Sequence, residues 1–425
     1  MLAQIVGAYG RLAERRRPYA PSFSTNAAVF GSLLATPRRS VRNGRALGCC
    51  ERRRNAVKSK RVTLADVAAA AGVSRTTASL VLSDRGDELR ISEAAQQRVR
   101  RVAAELAYRP NILSSALRRG SSRTIGFVSD TVATSQLAGD LIKGALEHAH
   151  RNGYMLFIGE TEGAPDEERR LVQGMIDRQV DGLIIASMFT RVRAVPAGID
   201  PRSVVLLNAL PEDSAVGTVP SIVPDEYSAG RAAVEVLRAA GHSRIHLLGA
   251  GPGPDDVPVQ TVAGSERLRG ILDALAEDGL EPASARLCSV WLPEDGWAAA
   301  RSLLETGVRG EAIITFNDRL AFGAYQAIQE AGLSIPGDFS IVSFDDHQLA
   351  SWLRPRLTTF ALPHYELGAL ALQVLLEDDA PDWGTVRRVP MPLRMRESVA
   401  GPGGAPTGAG RRSAASPSRE AAVSP

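Results

Sequence analysis

Residues 63–83 read TLADVAAAAGVSRTTASLVLS. Thr63 and Asp66 stand three apart before an alanine-rich run, a spacing in which the threonine caps a helix and the acid answers its free backbone N–H. Gly72 follows, the residue that most readily takes positive φ where a helix stops. Val73 can plug the angle between two helices, and Ser74 is a good cap for the next one, Arg75–Leu82. Helix, glycine turn and helix at this spacing predict a helix-turn-helix. A third helix is expected over Ser92–Tyr108, capped by Ser92, with Val99, Val102, Ala103 and Leu106 as its apolar stripe.

In such a unit the second helix enters the DNA major groove with its N-terminal residues against base edges. Arg75 and Thr76 stand there: arginine can grip guanine with two hydrogen bonds, and threonine can reach a base or a thymine methyl. Thr63, Ser74, Thr77 and Ser79 carry short hydroxyls suited to phosphate oxygens, which fix register without reading sequence. The competing reading is a three-helix bundle with a solvated polar face.

Charge follows the same division. Residues 1–60 carry 13 Lys/Arg and 2 Asp/Glu, residues 61–123 carry 11 and 6, and residues 124–399 carry 23 and 38. A basic front on an acidic body suits a chain whose front alone meets a polyanion, although a basic tail on an ordinary acidic domain would give the same balance. Residues 1–60 show no sustained period and read as a basic disordered extension. Residues 400–425, rich in Gly, Ala, Ser and Pro, read as a disordered tail. No run of about 18 apolar residues predicts a membrane span. Cys49, Cys50 and Cys288 have neither disulfide-framework nor metal spacing. The expectation is a cytoplasmic, nucleoid-associated protein without membrane, metal or cofactor.

From Thr124 the pattern becomes strand and helix in alternation. Thr124–Ser129, Met155–Gly159, Gly182–Ala186 and Val204–Leu207 are short apolar runs separated by helical stretches at Leu137–Arg151 and Glu167–Arg178. The alternation restarts after Pro224, with helices at Ser228–Ala240, Glu266–Glu277, Trp297–Glu305 and Arg319–Ala331 between strands at Arg244–Leu248, Leu287–Val290, Ala312–Phe316 and Ser340–Phe344. Such alternation implies parallel sheets covered by helices on both faces. Two rounds of it give two similar α/β subdomains, each with its ligand-facing loops at the carboxyl ends of its strands.

The helix-turn-helix stretch, with ISEAAQQRVRRVAAELAYRPNILSSALRRGSSRTIGFV after it, resembles the head of the lactose-repressor family of bacterial regulators. AGHSRIHLLG (240–249), ERLRG (266–270), FNDRLAFGAYQAIQEAGLSIPGDFSIVSFDD (316–346), PRLTTF (355–360) and LRMRES (393–398) extend the resemblance over roughly residues 61–399. It implies a small all-α head (61–109), a hinge helix and linker (110–123), and a body of two doubly wound subdomains of periplasmic-binding-protein type. These would comprise about 124–222 plus 359–375 and about 223–358 plus 376–399. It implies a homodimer on palindromic double-stranded operator DNA and a small-molecule effector, a sugar before a nucleoside or purine. Tail residues 400–425 lack a heptad repeat, which favours a dimer over a tetramer. In the hinge, Asn111, Ser114 and Leu117 would meet the minor groove, with Leu117 as the wedge. Relatives often carry a long polar residue where Leu80 stands. As a base-reading position it can only touch a thymine methyl or pack.

The resemblance also marks the effector cleft. Asp130 follows the first strand, where it either binds a hydroxyl or caps a loop. Arg267 matches an arginine that reaches the ligand, and Arg269 faces elsewhere. Asn317 and Asp318 end one strand and open a helix, so each is a ligand contact or a cap. Asp345 ends another strand. Trp297 stands where an aromatic would stack on a flat ligand, or in the core; Phe316 reads as core. Ser343 replaces a usual glycine beside Asp345. The overall reading is a repressor of a carbohydrate-uptake or catabolic operon. Its alternatives are an activator, a purine-responsive regulator, and a sugar-binding protein without a DNA role. No enzyme is expected: GAGPGP at Gly249–Pro254 superficially resembles a dinucleotide loop, but its prolines break the helix such a loop must open.

Overall fold

The computed structural model describes residues 62–109, 120–135, 138–258, 261–377 and 383–402. The extension 1–60, the hinge residues Asn111, Ser114 and Leu117, and the tail from 403 lie outside them. The head has three helices, α1 (Leu64–Ala71), α2 (Arg75–Leu82) and α3 (Glu93–Glu105). Val67, Ala71, Ala78, Val81, Val99 and Ala103 form its core. Arg98 Nε donates to the Ala71 carbonyl at 2.8 Å and ties α3 to the end of α1. The third helix stops at Glu105, short of the expected Tyr108, and Leu106 is exposed rather than part of the stripe. Ala107 takes φ 49°, which ends the helix before another turn can bring Leu106 inward.

The body holds two six-stranded sheets. In the first, β1 (Thr124–Ser129), β2 (Met155–Glu160), β3 (Gly182–Arg193), β4 (Val204–Pro211), β5 (Ser221–Pro224) and β11 (Val386–Val389) lie in the order β11-β5-β4-β3-β1-β2. All its pairings are parallel. The central strands are apolar runs because both faces are covered. Ile125, Phe127, Ile184 and Val205 pack beneath α4 (Gly139–Arg151) and α11 (His364–Leu376), while Val128, Leu183, Ile185 and Val204 pack beneath α5 (Pro165–Ile176).

The second sheet runs β12-β10-β9-β8-β6-β7. Its strands are β6 (Ile245–Gly249), β7 (Ser284–Leu287), β8 (Glu311–Thr315), β9 (Phe339–Asp345), β10 (Thr358–Ala361) and the antiparallel β12 (Leu393–Arg394). Around it lie α6 (Glu226–Ala239), α7 (Val262–Glu277), α8 (Pro293–Leu304), α9 (Asp318–Glu330) and the short α10 (Gln348–Trp352). The chain changes sheets near Pro224, Ala361 and Val389.

These crossings correct the expected boundaries. β10 belongs to the second subdomain, and β11, read as part of the second, completes the first by pairing with β5. Its sequence, VRRV, is charged because it is an edge strand, so no apolar run announces it.

Three helix pairs meet through reciprocal glycines. A Cβ at Gly144 would fall 2.0 Å from the Tyr365 carbonyl oxygen, and one at Gly368 would fall 1.9 Å from that of Leu141. Gly230 and Gly270 join α6 to α7 in the same way, with 2.3 and 2.1 Å to the carbonyls of Arg267 and Tyr227. Gly296 and Gly323 join α8 to α9, at 2.1 Å from Leu320 and 1.9 Å from Pro293. Backbone stands on backbone at these crossings, so a methyl group cannot be relieved by turning a side chain. Gly323→Ala is expected to destabilise the body by about 1–3 kcal/mol or more. An unchanged midpoint in chemical denaturation would refute the close crossing.

Candidate DNA-reading head and effector cleft

The head's caps form as the spacing requires. Thr63 accepts the Asp66 N–H at 3.3 Å, and the Asp66 carboxylate accepts the Thr63 N–H at 2.8 Å. Gly72 takes φ 66°, and its N–H bonds back to the end of α1. Ser74 Oγ accepts the Thr77 N–H at 3.0 Å and lies 2.8 Å from the Thr77 hydroxyl. Thr63, Ser74 and Thr77 therefore hold helix ends, and any phosphate contact they make is additional. Arg75 and Thr76 stand exposed on the first turn of α2, while Ser79 and Leu80 are half-buried further along. Leu80 thus divides its surface between the head and whatever lies against α2.

In the first sheet the strand order turns at β1, which lies between β2 and β3; in the second it turns at β6, between β7 and β8. Crevices at the carboxyl ends of such strands are where doubly wound sheets hold ligands. Asp130 follows β1 there and is buried. It accepts the backbone N–H of Thr131 at 2.6 Å and of Met188 at 3.0 Å, and pairs with Arg191 at 2.5 Å. It binds the tip of β1 to β3 before any ligand arrives. Arg193 pairs with Glu168 and donates to the Ala186 carbonyl at 3.2 Å. Asn208, at φ 53°, donates to the Ser187 carbonyl at 3.1 Å and accepts the Thr190 hydroxyl at 2.6 Å. Arg191, Arg193 and Asn208 were not singled out from sequence. Strand β3 runs seven residues beyond Ala186, and polar residues in that outer half hide the strand period.

In the second subdomain the structure gathers Arg267, Asn317, Asp318 and Asp345. Arg267 on α7 is buried. Its Nε and one terminal nitrogen donate to Glu226 at 2.9 and 2.7 Å, and its other terminal nitrogen donates to the Phe316 carbonyl. The guanidinium lies 4.2 Å from the Phe344 ring centroid and 5.9 Å from that of Trp291. Arg269 lies over Tyr227 instead. Asn317 caps α9 by accepting the Leu320 N–H at 2.8 Å, and donates to the Trp291 carbonyl at 3.2 Å. Asp318 accepts the His347 N–H at 2.7 Å and the Thr359 hydroxyl at 2.8 Å, joining α9 to the turn after β9 and to β10. Phe316 is fully buried, as core.

Asp345 ends β9 with φ 110°, a left-handed backbone rare for a residue with a side chain. No described residue donates a hydrogen bond to its carboxylate. Burial drives its pKa up to about 7, against the pull of Arg267. Burial and the neighbouring Asp345 also hold Asp318 well above the ordinary carboxylate range. Glu226 is raised by burial despite its contact with Arg267.

Trp297 stands apart from this group. It is exposed on α8, where its indole N–H donates to Glu330 at 2.9 Å and Arg301 lies over its ring. The helix starts at Pro293, four residues before the expected start, and this carries Trp297 away from the strand tips. Trp291 is the tryptophan beside Arg267: its N–H donates to the Gly249 carbonyl at 2.9 Å, and its ring lies 5.6 Å from Phe316.

The two subdomains face one another. Arg388 on β11 pairs with Glu266 on α7, one contact being 2.9 Å. Beside the cluster a cavity of about 1150 Å³ opens between Arg191, Val192 and Arg193 of β3 and Val257, Thr261 and Ser265 of the second subdomain. Asp345, Asn317 and Arg267 do not line it; Arg191 does, and through its pair with Asp130 joins this space to the strand tips. No helix among the described residues is long and apolar enough to cross a membrane.

Residues 63–111 match the family model described as bacterial regulatory proteins, lacI family, and residues 234–399 match the periplasmic binding protein-like domain. The ribose operon repressor of Escherichia coli is 32% identical over 319 residues, covering 74% of this chain and 92% of the relative. The transcriptional repressor PurR of Vibrio atlanticus is 28% identical over 324 residues, covering 74% and 91%. A crystal structure of the lac repressor dimer bound to operator and the anti-inducer ONPF superposes with a TM-score of 0.65 at 26% identity, covering 80% of this chain and all of that one.

Proposed function

This chain belongs to the lacI family of bacterial regulatory proteins, and from that premise we propose that it is a transcription repressor whose grip on operator DNA is set by a small molecule held between its two subdomains. The observation that carries the reading is a capped helix-turn-helix joined in one chain to a two-lobed body with a buried, charged cluster at the facing strand tips. Arg75 and Thr76 read bases, Thr63, Ser74, Thr77 and Ser79 steady the head on phosphates, and Leu80 contributes an apolar contact. Two copies related by a two-fold axis present two heads to a palindromic operator, as a head of this kind requires. Exposed Leu146 on α4 and Met155, Phe157 and Ile158 on the edge strand β2 give a second copy an apolar face to cover.

In the cleft Asp130, Arg191 and Asn208 approach the effector from one side, and Arg267, Asn317, Trp291 and Asp345 from the other; Asp318 holds the turn that carries Asp345. A polyhydroxylated ligand fits this set, because each hydroxyl both donates and accepts. A sugar is therefore the favoured effector, and an operon for sugar uptake or breakdown the favoured target. The ligand shifts the repressor only by its difference in affinity between the lobe geometries, and we assign the tighter affinity to the one that releases DNA. No step of this mechanism is a reaction, and a DNA-bound repressor works in the cytoplasm on the nucleoid.

Arg75→Ala tests the head. Operator affinity is expected to fall by about 1–3 kcal/mol, with discrimination relaxed at one base pair. Equal loss on random DNA in a mobility-shift assay would make Arg75 a phosphate contact instead.

A further inference from the structure

We propose that the effector is electrically neutral, an unphosphorylated sugar, and that Glu226 is the residue that makes the cleft select against its phosphate ester. The inference rests on the effector-cleft reading above and deepens it. An arginine at the heart of a ligand cleft would ordinarily invite an anion, since its planar fork matches phosphate and carboxylate. Here that fork is taken. Glu226, itself buried at the start of α6, holds Nε and one terminal nitrogen of Arg267 at 2.9 and 2.7 Å. The Phe316 carbonyl takes a third N–H. Of the five N–H groups of a guanidinium, two remain for a ligand, and the charge behind them is already balanced by a carboxylate in contact.

Among the described residues, the other arginines near this group are paired or exposed at its edge. Asp345 lies within the field of Arg267 and Asp318 lies beside Asp345, while Arg319 is exposed and acts on Asp345 from outside. Across the cleft Arg191 is paired with Asp130 and Arg193 with Glu168. A phosphate ester would bring two negative charges to a guanidinium already balanced by Glu226, and the described arginines facing it across the cleft, Arg191 and Arg193, are already paired. A neutral polyol meets none of this opposition. Asp345 accepts from its hydroxyls, Arg267's two free N–H groups donate to them, and Trp291 gives the ring an apolar face.

The test compares paired probes on the full chain by calorimetry: D-ribose against D-ribose 5-phosphate, and D-glucose against D-glucose 6-phosphate. A free sugar is expected to bind, and its ester to bind on the order of 100-fold more weakly, the scale of one unfavourable charge contact at short range. Glu226→Gln keeps the shape and removes the charge, and should shrink that ratio at least about tenfold, since Arg267 then carries a net charge toward the ligand. An ester binding as tightly as its sugar in the unmodified protein would overturn the inference while leaving the effector cleft in place. So would a ratio unchanged in a folded Glu226→Gln protein. Silence of both members of every pair would overturn the sugar-effector reading itself, and this inference with it.

Discussion

Replacing Arg267 by leucine is expected to destabilise the body by about 3–5 kcal/mol and to abolish effector binding. The cost comes from what is left behind. Glu226 is as buried as its partner, and removing one member of a buried ion pair strands an uncompensated charge. Glu226 already has a raised pKa from burial, and without Arg267 it rises further. The stranded acid then folds only in its protonated form. The variant's deficit should therefore grow as pH climbs above the ordinary carboxylate range, because the unfolded chain releases a proton that the folded one must keep. Melting Arg267→Leu across pH reads this directly. The double variant Glu226→Leu/Arg267→Leu should recover most of the loss, since paired apolar replacements fill a former ion pair without desolvating charge. A double variant no more stable than the single one would show that Arg267 acts through packing on Phe344 rather than through its charge.

The second large effect concerns Asp345 and separates two functions of one molecule. Its carboxyl is raised from 3.8 to about 7 chiefly by burial. In the folded protein it holds a proton that the unfolded chain has released between roughly pH 4 and 7, so its contribution to stability is lost as pH rises through that window. Ligand affinity should move the opposite way. A hydroxyl donates better to a carboxylate than to a carboxylic acid, so effector binding should tighten as pH passes through about 7. Asp345→Asn should weaken the effector by about 1.5–3 kcal/mol, the worth of hydrogen bonds to a charged group, and flatten the pH profile. Operator binding without effector should be unchanged, because the head has its own core and caps. Titration calorimetry from pH 6 to 8 and a mobility shift on the same preparations test both halves. Asp345 and Asp318 interact, so the profile belongs to the pair. An Asn variant that still responds to effector would remove Asp345 from the site.

Much of this was legible in the chain because it was local. The capping pair Thr63–Asp66, Gly72 and the cap Ser74 are spaced by backbone geometry alone, and the structure forms each of them. Buried strands such as TIGFVS announce themselves by apolar runs. Asp130, Arg267, Asn317, Asp318 and Asp345 were marked by the family resemblance, and all but Arg267, which stands on α7, follow or end a strand. What stayed hidden depended on distant partners. Glu226 falls before the helix expected at Ser228–Ala240, and only the structure places it in the first turn of α6 with Arg267 of α7 against it. Arg191 looks like part of a polar loop until β3 continues past its bulge to pair with β4. Trp291 and Trp297 differ by six positions, and only the helix start at Pro293 decides which one faces the strand tips. The charged edge strand β11 carries no period that would reveal its place beside β5.

That last strand has a companion in α11, and together they bear on how the protein is made. The glycine crossing of Gly144 with Gly368 means that α4, formed early in the chain, cannot find its neighbour until α11 exists. From Arg151 to His364 roughly two hundred residues must leave the ribosome first. At about 5–20 residues per second this takes roughly 10–45 seconds. Through that interval the sheet face meant for α11, with Ile184 and Val205 on it, waits uncovered on the nascent chain while most of the second subdomain is synthesised. The subdomain begun first thus stays open until nearly the end of synthesis, and a messenger cut short before α11 would yield a chain whose second lobe is nearly complete and whose first is open to chaperones and proteases.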